Sequence, residues 1–157
     1  MKKQIEFSLS LLVLMGLIAT PVWALKDSRN PNDWYERAHE DLDAAEVLFK
    51  ETNHYGAVCF HSHQAAEKAL KGALINRGDR PDQIHQTAEL AKNLSRHNPK
   101  SKTFIAPLGE LDKLYVPSRY PKQGQGLFSR EEASSCLEQA KQVFDLIANE
   151  FEVTSGV

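Results

Sequence analysis

Apolar residues recur at spacings of three and four along most of this 157-residue chain, which is the pattern of amphipathic helices. No segment keeps the two-residue alternation of a half-buried strand. The predicted helices cover about residues 34–50, 55–77, 85–97, 103–115 and 129–151. We therefore predict an all-α fold, an up-down antiparallel bundle of four to five helices around one core.

Residues that favour helix ends and turns mark the boundaries of these segments. Gly78 is typical of the residue that follows a helix, and Ser129 with Glu132 forms a capping-box pattern at the start of the last helix. Residues 116–126 contain two prolines and two glycines, so we predict a loop without helix there.

The first 24 residues have the layout of a secretory signal peptide. Two lysines precede an apolar run over residues 7–19, and short residues stand one and three positions before a cleavage point after Ala24. Cleavage would leave residues 25–157 as a single domain, and we expect no membrane embedding of that domain. A mis-called start codon and a retained N-terminal anchor are the alternatives.

The composition is ordinary for a globular protein, with 41% hydrophobic and 25% charged residues, which argues against a disordered chain or a polytopic membrane protein. The formal net charge of −2 argues against a wholly basic nucleic-acid binder. The segment from Lys92 to Arg130 nevertheless carries eight basic and two acidic residues. It predicts either a positive face that meets phosphate or scattered, solvated cations.

The second predicted helix carries an unusual polar face. At 100° per residue, its residues His61, Gln64, Lys68 and Lys71 fall within an arc of about 80°. This face would form either the floor of a polar pocket or a solvated edge, in which Glu67 and Lys71 make a supporting pair one turn apart.

Histidines and cysteines suggest no metal or cofactor site. His61 and His63 are two residues apart and face nearly opposite ways on a helix, and no three-ligand set has local spacing. Neither a glycine-rich phosphate loop nor a nucleophile elbow is present. We interpret Cys59 and Cys136 as small core residues. In an exported chain the two could also pair, and the sequence leaves that open.

The segment from Tyr115 to Pro121 places Arg119 between two prolines and beside two tyrosines. An arginine in this setting suits a planar anion or a nucleic-acid base, through fork hydrogen bonds and stacking. In the alternative interpretation, Tyr120 and Pro121 fix the loop to the bundle and Arg119 caps a helix end.

Several short motifs together resemble the HEPN family over residues 30–151. They are Asn30-Pro31-x-Asp33-Trp34, Asp41-Leu42-x-x-Ala45, the run Gln64 to Lys71, His85, and Tyr115-x-x-x-Arg119-Tyr120-Pro121. The resemblance implies a helical homodimer in the cytoplasm, encoded beside a minimal nucleotidyltransferase in a toxin–antitoxin-like pair. It further implies nucleotide or RNA binding, for which we expect a groove bordered by Gln64, Lys68, Lys71, Arg119 and Tyr120.

Two alternatives belong to other functional classes. Many HEPN members are metal-independent ribonucleases, marked by Arg, four to six residues, then His near the start of the last long helix. No histidine follows Arg119 here, and the spacing match from Arg80 to His85 lies before the third helix. Arg119 and His85, or His61, would then be the catalytic candidates. The other alternative is an exported helical module for protein contacts.

Overall fold

The computed structural model describes residues 27–124 and 126–148, and every regular secondary-structure element among these residues is a helix. Its elements are α1 (Pro31–Glu51), α2 (Tyr55–Asn76), α3 (Thr87–Leu94), a short 3-10 helix (Pro99–Phe104), α4 (Ile105–Arg119) and α5 (Arg130–Ala148). The prediction of an all-α bundle is thus confirmed. The leader at 1–24 and the end of the last apolar stripe at Phe151 lie outside the described residues. None of the helices described is long and apolar enough to cross a membrane.

Helix α2 occupies the centre of the bundle and packs against each of the other four α-helices. Its predicted apolar positions are all buried: Val58, Ala65, Ala66, Ala69, Leu70, Ala73 and Leu74. Because the alanines are short, neighbouring backbones approach closely. At Gly72, a Cβ atom would stand 3.2 Å from the Pro31 carbonyl oxygen of α1. We therefore expect this close approach to constrain how α1 crosses α2.

The predicted helix boundaries at Gly78 and Ser129 are confirmed. Gly78 adopts a φ of 88°, a conformation open to glycine, and its N–H donates to the Ile75 carbonyl at 2.9 Å as α2 ends. At the start of α5, the Glu132 N–H donates to Ser129 Oγ at 3.1 Å, and the Ser129 N–H donates to Glu132 Oε2 at 2.8 Å.

Helix α4 is longer than predicted, and the prediction of a loop over 116–126 is wrong in its first four residues. The helix continues through Pro117 to Arg119. Pro117 lies in the final turn, where its fixed φ suits a helix and only one intrahelical hydrogen bond is lost. The Tyr120 N–H then donates to the Val116 carbonyl at 3.1 Å, which completes that turn.

Helix α3 is shorter than the predicted span of 85–97. It begins at Thr87 because Asp112 of α4 accepts hydrogen bonds from the N–H groups of Thr87 and Ala88, at 2.8 and 3.1 Å. A carboxylate at this place satisfies N–H groups that have no partner within the helix.

Cys59 of α2 and Cys136 of α5 form a disulfide, with their Cα atoms 5.1 Å apart. Both cysteines are buried in the core, as predicted. The pairing that the sequence left open is therefore present in the fold and joins α2 covalently to α5.

Candidate functional site

The added turn of α4 places Arg119 among three aromatic rings. The carbon atom of its guanidinium group lies 5.5 Å from the Phe60 ring centre, 5.6 Å from that of Tyr115 and 5.4 Å from that of Tyr120. Its Nη1 donates to the Tyr115 hydroxyl at 2.9 Å. The arginine is exposed, so the rings orient a cation that stays accessible to a ligand.

Arg119 lines a surface cavity of about 440 Å³, within the size range of small-molecule sites. The first turn of α2, the end of α4 and the segment that precedes α5 form its walls. Arg119 and Lys122 are its cations, and none of the described lining residues is a carboxylate. The N-terminal turn of a helix also presents N–H groups without intrahelical partners. Charge and backbone together suit an anion.

Three aromatic side chains give the same cavity an apolar lining, namely Tyr55, Tyr120 and Phe128. Tyr120 is 57% exposed, so most of its ring is open to solvent beside the guanidinium. A flat ring next to an arginine plane is a surface on which a nucleic-acid base stacks.

The polar face of α2 forms a network with α1 that does not line this cavity. Asp41 of α1 pairs with Lys68 and also with His61, whose Nδ1 lies 2.9 Å from Asp41 Oδ1. Lys68 donates to Gln64 Oε1 at 3.2 Å, and Gln64 Nε2 donates to the Tyr115 hydroxyl at 3.4 Å. Gln64 and Lys68 thus connect to the tyrosine that holds Arg119.

The inner part of the same face lies in the protein interior. Lys71 Nζ lies 3.0 Å from Glu67 Oε1, and the two side chains are 3% and 8% exposed. The ammonium group also lies 5.3 Å from the Trp34 ring centre. The i,i+4 pair is present as predicted, but it is not a solvated edge, and Lys71 does not border the cavity.

The sequence did not predict a second buried polar pair, which His63 of α2 forms with Asp112 of α4. The Nε2 atom of His63 lies 2.9 Å from Asp112 Oδ1, and its ring stacks on Tyr115 at 4.1 Å between centres. Burial alone would raise the pKa of Asp112, but hydrogen bonds from His63, Thr87 and Ala88 outweigh it and lower that pKa. The one available signal was that His63 lies opposite His61 on the helix.

The histidine candidates for catalysis have partners other than the guanidinium of Arg119. His85 is 64% exposed, and its Nδ1 lies 3.0 Å from Glu67 Oε1. His61 pairs with Asp41. Over residues 27–124 and 126–148, the contacts found for Arg119 are with aromatic side chains and not with either histidine. Nor do the described residues contain a group of three side chains that could hold a metal ion.

The eight basic residues between Lys92 and Arg130 are all exposed. They belong to α3, the 3-10 helix, α4, α5 and the connections between them. Lys92 pairs with Glu89 at 3.3 Å and Lys113 with Glu110 at 2.7 Å. These two lysines are therefore solvated cations with local partners and do not form one positive face. Arg119 and Lys122, in contrast, line the same cavity.

Comparison with known proteins gives consistent results. The family model of the HEPN domain matches residues 31–150. A protein of Methanocaldococcus jannaschii with the name "Putative toxin" is 32% identical over an alignment of 126 residues, and the match covers 71% of this chain and 82% of that protein. A crystal structure from Thermus thermophilus has a TM-score of 0.71 at 28% identity and covers 79% of this chain and all of that one. An archaeal HEPN homologue has a TM-score of 0.62 at 28% identity and covers 77% and 97%.

Proposed function

The chain belongs to the HEPN family, and from this premise we propose that it binds nucleotides or RNA in the cavity beside Arg119. One observation carries the proposal. An exposed guanidinium is fixed by three aromatic rings and a tyrosine hydroxyl in a cavity of about 440 Å³. The phosphate meets Arg119 through its fork of donors, and a base stacks on Tyr120.

The five residues predicted from the sequence have different parts in this proposal. Arg119 and Tyr120 contact the ligand. Gln64 and Lys68 do not contact the ligand and act through Tyr115. Gln64 donates to the Tyr115 hydroxyl, and Lys68 donates to Gln64 and holds it in place. Lys71 supports the interior through Glu67 and makes no contact with the ligand.

A toxin–antitoxin-like role follows from the relatives. The toxin name of the Methanocaldococcus jannaschii protein supports a place for this chain in such a pair. The family resemblance further implies a homodimer and, for a chain that stays in the cytoplasm, a minimal nucleotidyltransferase as its partner. In such a pair, this chain and its partner would both bind the same nucleotide or RNA.

Titration of residues 25–157 with ATP and with a fluorescent single-stranded RNA tests the binding site. Arg119→Ala should weaken binding by about tenfold or more, since charge-assisted hydrogen bonds to a phosphate are lost. Arg119→Lys should recover only part of this loss, because the lysine lacks the planar fork. For wild type, RNA affinity should fall steeply as salt rises.

Lys113→Ala is the matched control, since it removes one exposed cation from the same helix away from the cavity. Equal affinities of Arg119→Ala and Lys113→Ala would contradict the site. Light scattering in the same samples reports whether the chain is a dimer. A denaturing gel of the same samples shows whether the RNA is cut. Cleavage by wild type that is lost in both Arg119→Ala and His85→Ala would favour the ribonuclease alternative.

A further inference from the structure

Two features of the chain have no part in the binding site. The first is that its only two cysteines are both consumed in the Cys59–Cys136 disulfide. Their Cα separation of 5.1 Å lies well inside the range that a disulfide spans. The bond joins positions 77 residues apart in the chain, so it forms only where α2 and α5 pack together.

The surroundings of this bond are those of a structural cross-link. Cys59 and Cys136 are 0% and 1% exposed, among the apolar side chains of the core. Thiol–disulfide exchange requires a thiolate to reach one of the sulfur atoms. Because both sulfur atoms are buried, a thiolate cannot reach them in the folded protein. Buried cysteines of this kind do not act as sensors, and stable disulfides belong to oxidising compartments.

The second feature is the N-terminal pattern, which involves different residues. Lysines at positions 2 and 3, the apolar run over 7–19 and the short residues Val22 and Ala24 form the three parts of a cleavable export signal in their usual order. This segment lies outside the described residues, so it contributes as sequence alone. The leader pattern and the buried disulfide involve different residues, and both are typical of exported proteins.

We propose that the chain is exported and carries two covalent modifications, a cleavage site after Ala24 and an obligatory Cys59–Cys136 disulfide. Cleavage hydrolyses the Ala24–Leu25 peptide bond. Oxidation removes two electrons and two protons from the thiols, and a catalyst disulfide accepts them and becomes a dithiol. The proposal does not rest on the Arg119 site, and a cytoplasmic partnership is its competing outcome.

The test uses the protein captured by antibody from the cells that naturally make it. The sample is denatured in the presence of an alkylating reagent, and its intact mass is measured before and after chemical reduction. The expected chain begins at Leu25, adds no alkyl group before reduction, and adds two afterwards. A chain that retains residues 1–24, begins at any other residue, or is alkylated before reduction would overturn the proposal and leave the cytoplasmic role in place.

Variants in a bacterial host test the leader directly, with the full chain fractionated into cytoplasm and periplasm. Ala24→Phe should abolish cleavage and leave a longer precursor, because the site requires a small residue at that position. Trp23→Phe is the matched control one position earlier and should be processed normally. Identical processing of the two variants would contradict the assigned cleavage site.

Discussion

At the scale of single residues, the buried ion pair in α2 shows how a charge is kept inside this fold. Lys71 is accommodated because Glu67 lies 3.0 Å away and the Trp34 ring covers the ammonium group. An isolated buried charge would cost several kcal/mol. Glu67 also meets His85, so this one carboxylate joins α2 to the segment before α3.

Glu67→Gln should therefore destabilise the protein by roughly 3–5 kcal/mol, since it keeps the shape but leaves Lys71 buried without a counter-charge. Urea unfolding measures the loss. Glu110→Gln is the matched control because it breaks an exposed pair with Lys113, and it should change stability by less than about 1 kcal/mol. Similar losses for the two variants would show that Lys71 does not need Glu67.

At the scale of helices, local signals predicted most of the architecture. Apolar spacing predicted α1 and α2 nearly to their ends, and with the capping pattern it predicted the start of α5, because each apolar stripe and each cap depends on residues within a turn or two. The two errors have different causes. The start of α3 is set by a distant group, Asp112 of α4. The end of α4 was missed because a proline is tolerated in the last turn, which closes locally through the Tyr120 N–H and the Val116 carbonyl.

The approach of α1 to α2 gives a prediction in which two equivalent changes have opposite effects. Gly→Ala in a helix stabilises by about 0.5–1 kcal/mol when space is free, and a Cβ atom added to Gly109 of α4 would have no neighbour within 4 Å. Gly109→Ala should therefore stabilise. Gly72→Ala should destabilise, because its Cβ would press on the Pro31 carbonyl at 3.2 Å and on Trp34 at 3.3 Å.

Thermal unfolding of Gly72→Ala, Gly109→Ala and wild type makes this comparison. The melting temperature should rise for Gly109→Ala and fall for Gly72→Ala. A rise in both would mean that α1 moves away from α2 at little cost, and that the close approach does not fix the crossing of these helices.

At the scale of the whole molecule, the fold was predictable from sequence to a greater degree than the site. Arg119 and Tyr120 could be named because two of the rings around the guanidinium, Tyr115 and Tyr120, are also close to it in sequence. The burial of Lys71 could not be predicted, because the groups around it come from other segments. Trp34 of α1 covers Lys71, and His85 before α3 contacts its partner Glu67. The pairing of Cys59 with Cys136 likewise depends on how α2 meets α5.

That disulfide leads to the last prediction, which concerns the stability of the whole chain. It closes a loop of 77 residues, and the chain-entropy model then assigns it a stabilisation of about 4.5 kcal/mol through the unfolded state. The double variant Cys59→Ala/Cys136→Ala should lose about that amount in urea unfolding, together with a smaller loss of packing. Its unfolded state is more extended, so the dependence of unfolding free energy on urea should also steepen. Chemically reduced wild type serves as the comparison, because it keeps both sulfur atoms. Equal stability of reduced and oxidised wild type would show that the bond contributes nothing to the fold.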